Sequence, residues 1–589
     1  VPAARRRFGL LLVVAFSAAC SAGGGVPGGA STSTVATSTT TSTTTTTLPP
    51  LCSAPSFLPA LPPADTRVEP LAAEDLAAAS VQFSSDTFGC AADVVLVSPG
   101  DLERAALAAR LAAGLEGPLL FAGAAAPEAV EDELARLIPQ RVWLVGADVA
   151  PPLVPEGTEV RRLSGDAARL ATQVDDLIGG GAPLVLPSDD VAESVAVAIR
   201  AMVEGAALEP PPSAATTTTG AAAASSTTVP QEGGAVVQPL PVVIAGAGDR
   251  GVAWLVDARQ PELALAAAAA AVPSGGIMAL VDGTDLRRVP EVGRALRGAP
   301  GGLGLVRLVG DISDDASWEL PLLLEGQELP GGGYLLFPGR RLVALYGNPL
   351  AAVLGVLGEQ GPEASVQRIL PIAAQYAQEG VVVVPAFEMI ATVADSRPGA
   401  DGDYSNETPL GDLRPYIEAA GEAGLYVLLD LQPGRADFLS QARLYEEFLR
   451  LPYVGLALDP EWHLGPNELP LHQYGHASAA DVNAVAQYLA GLVREEHLPQ
   501  KMLLLHQFRL SMLPDRGDIE MLPELAVVIQ MDGQGALVDK YATWAAITAG
   551  TEGAGWFWGW KNFYDEDSPM ATPQQVLELV PSVVYVSYQ

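Results

Sequence analysis

The sequence predicts an α/β protein in which Rossmann-like parallel sheets precede a (β/α)8 barrel of the TIM type. Three observations carry that expectation. Between residues 90 and 310, short and almost continuously apolar runs alternate with Ala/Leu-rich helical segments, as in parallel sheets covered on both faces. From about Arg340 the alternation becomes regular, with room for eight strands and their helices. Two low-complexity stretches set these regions off. The organisation read from this is an export segment at 1–20, a stalk at 21–55 and an α/β domain at 56–209. A linker or insertion at 210–235, a second and degraded α/β unit at 236–335 and the barrel at 336–589 follow.

Composition narrows the function. Hydrophobic residues make up 49% of the chain, enough to build buried cores over most of its length. The net charge of −36 argues against a nucleic-acid partner, which needs clustered Lys and Arg for phosphate contacts. Lysine occurs only at Lys501, Lys540 and Lys561.

The first element is a targeting segment. Arg5, Arg6 and Arg7 precede an apolar run from Phe8 to Phe16, and small residues lead to Cys20. The run falls short of the ~20 residues of a spanning helix. The Ser17-Ala18-Ala19-Cys20 end resembles a bacterial lipobox, which implies lipidation at Cys20 and a place on the outer face of the cytoplasmic membrane or in the wall. Ordinary cleavage near Ala19 is the alternative. The stalk that follows is Gly, Ser, Thr and Pro, too polar to offset its ordering entropy. Outside the cytoplasm Cys52 and Cys90 are candidates for a disulfide, with two buried thiols as the alternative.

In the first α/β region Val94–Val97 reads as a strand ended by Ser98-Pro99-Gly100, and Leu102–Leu115 as a helix. Pro118–Phe121 is a second strand, Glu128–Leu137 a helix and Val142–Gly146 a third strand. Arg162-Leu163-Ser164-Gly165-Asp166 opens the next helix. The pattern partly recurs at Ala253–Asp257, Leu263–Val272, Ile277–Leu280 and Val306–Gly310. Together these stretches resemble the type 2 cell-wall-binding repeat of Gram-positive surface proteins. The resemblance implies a wall-glycan or peptidoglycan partner. Arg161, Arg162 and Arg169 are the local basic cluster, readable as a polymer contact or as a solvated loop and helix start.

In the C-terminal half the expected strands are Leu342–Tyr346, Val381–Pro385, Leu425–Leu429, Val454–Leu458, Met502–Leu505, Ala526–Gln530, Gly555–Trp558 and Val583–Ser587. An open doubly wound sheet is the alternative to a closed barrel. Barrel sites form at the C-terminal ends of strands. Those ends carry Glu388, Asp430, Asp459, Glu461 and Asp532, with Trp462, His506, Gln507, Trp560 and Lys561 nearby. Asp459 and Glu461 lie two apart, on one side if the strand continues. Two converging carboxylates suit glycoside hydrolysis, one as proton donor and one facing the oxocarbenium-like centre. Like-charge proximity and tryptophan walls would raise one pKa and keep that acid protonated. Trp556, Trp558 and Trp560 alternate, and Trp560 is a candidate sugar platform; the alternative is that Trp556 and Trp558 fill the interior.

The Ala457-Leu458-Asp459-Pro460-Glu461 segment resembles the D-x-E of family 25 glycoside hydrolases, the lysozyme-type muramidases. That resemblance implies Asp459 and Glu461 as catalytic acids, supported by Glu388, Asp430 and Asp532. The first and last strands, which carry further acids in that family, end here in Gly347-Asn348 and Ser587-Tyr588-Gln589. His463, His472 and His476, and the Asp401, Asp403, Ser405 and Glu407 run, match no tight metal motif. There is no P-loop, dinucleotide fingerprint or nucleophile elbow, so neither cofactor nor metal is expected. The expectation is a cell-envelope lipoprotein that associates with wall glycan and carries a glycoside-hydrolase-like barrel. The alternative is a non-catalytic wall-binding or scaffolding protein with a degenerate barrel.

Overall fold

The computed structural model describes residues 50–62, 66–71, 75–123, 127–187, 190–210, 244–246, 248–281 and 283–589. The export segment with Cys20, the stalk through residue 49 and nearly all of the 210–235 linker lie outside the described residues.

The first parallel sheet runs Leu119–Phe121, Asp93–Val97, Arg141–Val145, Glu159–Leu163. Two of its helices, Leu102–Gly114 and Ala167–Ile178, start at an aspartate. The Asp101 and Asp166 carboxylates accept from the backbone N–H of Arg104 and Arg169, as N-caps do. The second sheet runs Ile244–Ala245, Ile277–Val281, Val252–Asp257, Leu305–Val309, Arg67–Leu71, parallel except for its first strand. Its last member comes from the chain before the first sheet, a pairing that the local pattern did not foreshadow.

One continuous core joins the two sheets. Its centre is the helix Pro261–Ser274, in which every residue from Leu263 to Ala271 is buried. A helix apolar all round must be enclosed on all sides, and the run of alanines lets its neighbours approach. Cys52 and Cys90 form a disulfide. The basic cluster is largely occupied. Arg162 donates to the carbonyls of Gly146 and Val149, and Arg161 pairs with Glu159 over the Trp143 ring.

From Arg340 the chain forms a closed barrel of eight parallel strands, a TIM-like barrel. They are Arg340–Gly347, Val382–Ala394, Tyr426–Leu431, Val454–Leu458, Lys501–His506, Leu525–Met531, Phe557–Asn562 and Val583–Tyr588. Each pairs with the next, and the eighth pairs with the first. Helices follow most strands, but two short 3-10 turns, Leu510–Met512 and Arg516–Asp518, replace the helix after the fifth. The lower interior is apolar, with Leu342, Val384, Leu428, Met502 and Val528 in one cluster. Leu329, Leu336 and Phe337 join that cluster from the segment before the first strand, and Phe337 stacks on Phe557.

Candidate functional site at the barrel mouth

Strand alternation that sends Leu342 and Ala344, or Met502 and Leu504, into the apolar interior sends the next alternate residue into the layer above. That layer is polar and takes one side chain from each strand or its immediate end. These are Tyr346, Glu388, Asp430, Asp459, His506, Gln530, Lys561 and Ser587, all buried. The layer lies at the C-terminal ends of the strands, where barrel sites form.

His506 is its hub. Its Nδ1 lies 2.8 Å from Asp532 Oδ2, and its Nε2 lies 2.9 Å from Glu388 Oε1 and 3.6 Å from Asp430 Oδ1. Two tyrosine hydroxyls hold the carboxylates. Tyr585 donates to Glu388 Oε2 at 2.8 Å and Tyr346 to Asp430 Oδ2 at 2.9 Å. The Lys561 ammonium sits 3.3 Å above the Tyr346 ring. Gln530 donates to Ser587 Oγ at 2.7 Å. Glu388, Asp430 and His506 are wholly buried. Despite the short separations, Glu388 Oε1, Asp430 Oδ1, His506 Nε2 and Asp532 Oδ1 have no aligned hydrogen-bond partner.

Burial and crowding set the charges. Burial would strip the proton from His506, but Asp430, Asp532 and Glu388 outweigh it and hold the pKa well above the ordinary value. Burial likewise opposes ionisation of Glu388, yet His506, Lys561 and Tyr585 bring its pKa below normal. Asp430 is pushed up to about 6 by burial and by Glu388, against the pull of His506. Burial also drives Asp459 well above the usual carboxylate range, with Asp430, Glu461 and Asp532 adding to it. Glu461 rises to about 7 through burial and the charge of Asp532.

Several expectations change at this level. Asp459 and Glu461 do share a neighbourhood, but not through strand alternation. The fourth strand ends at Leu458, and Asp459 caps a 3-10 turn, Pro460–Trp462, by accepting from the Glu461 N–H at 3.1 Å. The pair does not split into an acid and an ionised carboxylate, because both sit among further acids and both pKa values rise. Trp560 is not a sugar platform: it is 0% exposed, packs on Trp544 and Tyr541, and donates to Asn562 Oδ1. The tryptophan row belongs to the layer between barrel and helices, since Trp558 and Trp560 cluster there with Trp544 while Phe557 packs on the interior. Trp462 is half-buried, close to the mouth. Gln507 is buried and accepts from Arg516 Nη1 at 2.6 Å.

Sequence reasoning missed Tyr346, Tyr585, Gln530 and Ser587. The available signal was register: Tyr346 pairs directly with Glu388, and Lys561 with Ser587. The exposed acids Asp401 and Glu407 converge with half-buried Asp403 in a separate loop, without buried support. A cavity of about 1030 Å³ lies elsewhere, lined by Val68, Leu308, Leu320 and Leu324 beside the Arg67–Leu71 strand. It holds none of the polar layer.

No protein-family model matches the chain, and no curated protein matches it. Among solved structures it is similar to Cwp8 from Clostridium difficile, at 15% identity over 45% of this chain and 52% of that one, with a TM-score of 0.32. Cwp6 from Clostridium difficile is 13% identical over 63% of each chain, with a TM-score of 0.31. A D-allulose 3-epimerase from Methylomonas sp. is 11% identical over 43% of this chain and 85% of that one, with a TM-score of 0.24. The chain thus spans 52% and 63% of the lengths of the two Clostridium difficile proteins. Likeness this slight assigns no function.

Proposed function

We propose that this is an exported cell-envelope lipoprotein, anchored through Cys20, whose α/β region associates with wall glycan and whose barrel cleaves glycosidic bonds. The wall partner is inferred from the repeat-like stretches between residues 90 and 310, and the anchor from the lipobox-like Ser17–Cys20. The domain divisions at 56–209, 236–335 and 336–589 belong to the same reading. The observation that carries the enzymatic part is the ring of polar side chains, one per strand, converging at the C-terminal mouth.

In this reading Glu461, at the half-exposed rim, holds a proton near neutral pH and gives it to the leaving glycosidic oxygen. The anomeric C–O bond breaks, the ionised Glu388 carboxylate lends negative charge to the cationic centre, and the water that adds gives up its proton to the Glu461 carboxylate, restoring the acid. Trp462 and Lys561 are the contacts nearest to a bound sugar. The test is release of reducing ends from peptidoglycan and simple β-glycans. Wild type should exceed Glu461→Gln by at least about 100-fold, the usual range for a lost proton donor. Equal background rates would refute cleavage.

A second reading has its own support. Glu388, Asp430 and His506 are 0% exposed and Trp560 is enclosed, so the mouth offers no tryptophan-walled cleft for a polymer. A barrel that displays or binds glycan without cutting it fits that burial. Retention on purified wall sacculi with no reducing ends released would favour it.

A further inference from the structure

We propose that Asp459, His506 and Asp532 bind one divalent transition-metal ion of the manganese, iron or zinc class. The inference rests on the choice of the barrel mouth as the working site made above, and gives acids of that same layer to an ion. The three residues come from neighbouring places on the barrel: the turn after the fourth strand, the end of the fifth, and the position just past the sixth. One donor atom from each lies within 4.8 Å of the other two, and all three residues are buried. Metal bonds of about 2.0–2.2 Å place donors roughly 3–4 Å apart, so small rotations close the set.

Three further observations point to a cation. The first is orphaned polarity. Asp532 Oδ1 is buried without a partner beside the cluster, and Asp430 Oδ1 is likewise unpartnered nearby. Buried polar groups are rarely left so unless something absent from the protein chain completes them. The second is charge. Five acidic side chains, Glu388, Asp430, Asp459, Glu461 and Asp532, gather around one imidazole, His506, and one amine, Lys561. Buried charge needs a partner, and a dication supplies what the lysine and imidazole do not.

The third is the outer arrangement of His506. With Nδ1 facing Asp532, Nε2 faces Glu388 and Asp430, and each of those acids is held by a tyrosine hydroxyl. A metal-bound imidazole ordinarily gives its other N–H to a carboxylate, which fixes ring orientation and raises basicity. The geometry points to Nδ1 as the donor, with Glu388 and Asp430 as positioning residues. An imidazole among carboxylates favours transition ions over magnesium or calcium, which take oxygen ligands.

The experiment uses the full-length chain stripped with EDTA and titrated calorimetrically with MnCl2 and, separately, ZnCl2. One ion per chain should bind. Asp459→Asn and Asp532→Asn should each weaken binding at least about 10-fold, while Asp401→Asn in the exposed acidic loop should not change it. Because a variant could misfold, pulsed EPR of Mn2+ on wild type gives a second reading, and should show hyperfine coupling to a directly bound imidazole nitrogen. No saturable binding, an oxygen-only shell, or loss through Asp401→Asn alone would overturn the proposal. The outcome separates from that of the glycan assay. Metal bound without cleavage retires the hydrolase, and cleavage by a protein that binds no metal retires the metal site.

Discussion

The two halves of the chain treat buried charge in opposite ways. In the α/β region most buried carboxylates are closed against arginine; Glu319, crowded by Asp285, is the exception. Asp93 receives two bonds from Arg141 and one from the Trp143 indole, Asp86 receives two from Arg307, and Glu133 is clasped by Arg136. Among the described residues before the barrel, no carboxylate oxygen is buried without a partner. The barrel mouth gathers acids around one imidazole and leaves carboxylate oxygens of Glu388, Asp430 and Asp532 without an aligned hydrogen-bond partner. Paired charges specify a structure; surplus unpaired charge is what a fold tolerates where it works, at a cost met elsewhere in the chain. That contrast separates the scaffold from the candidate site without any appeal to sequence motif.

The contrast can be broken first at the other pole of the barrel. Lys501 is fully buried at the barrel floor, with no carboxylate near it, and donates to the carbonyls of Leu451 and Val454. Burial lowers its pKa from 10.5 to about 7. Between those two values the unfolded chain holds the proton and the folded one does not, so stability rises with pH across that window. In urea unfolding, wild type should gain on Lys501→Met by up to about 3 kcal/mol between pH 7.5 and 9.5. Parallel pH profiles for the two proteins would show that the ammonium is solvated after all.

The scaffold side makes the next prediction. Asp93→Ala removes three hydrogen bonds and leaves the Trp143 N–H buried and unpaired. Arg141 can turn to water because it is half-buried. A loss of about 2 kcal/mol is expected from chemical denaturation. A change below about 0.5 kcal/mol would mean that the arginine-paired acids are ornamental and the comparison is empty.

Much of this was legible in the chain, for definite reasons. The barrel strands stand out because each is an apolar run bounded by Gly, Pro or charge, and the reading of Val454–Leu458 coincides with the strand found. Two ends were drawn short for instructive reasons. Local pattern places Glu388 and Lys561 after a strand, whereas the strands run on to Ala394 and Asn562. A charged residue inside a strand looks like a terminus when only local pattern is visible. The acids of the mouth and His506 could be named, but not that the acids converge on His506, because that depends on closure and register across eight strands. Tyr346 and Tyr585 read as ordinary strand formers. Arg67–Leu71 escaped because its partner strand, Leu305–Val309, lies far along the chain and its own pattern is polar and broken by Pro70.

The tryptophan row sharpens the boundary between scaffold and mouth. Trp560→Phe gives up the bond to Asn562 Oδ1, at 2.8 Å, and some packing against Trp544. It should lower stability by about 1–2 kcal/mol and leave the release of reducing ends unchanged. Trp462→Ala, at the half-buried rim, should do the reverse. Reversal of that pattern would restore Trp560 as the sugar contact.

The smallest expected effect bears on the surplus charge itself. Asp430 is pressed on one side by Glu388 and held on the other by the Tyr346 hydroxyl, and its Oδ1 has no partner. Asn keeps an acceptor for that hydroxyl and removes one negative charge from the crowd. In metal-stripped protein Asp430→Asn should therefore be neutral or stabilising, by up to about 1 kcal/mol, where truncating a paired acid destabilises. With Mn2+ in excess the gain should shrink or change sign, since the ion then neutralises the layer and the lost charge held the His506 ring in place. Thermal melts of both proteins, with EDTA and with Mn2+, measure the two differences directly. Destabilisation of equal size in both conditions would mean that Asp430 is another structural acid, and the layer would no longer differ in kind from the arginine-paired acids of the α/β region.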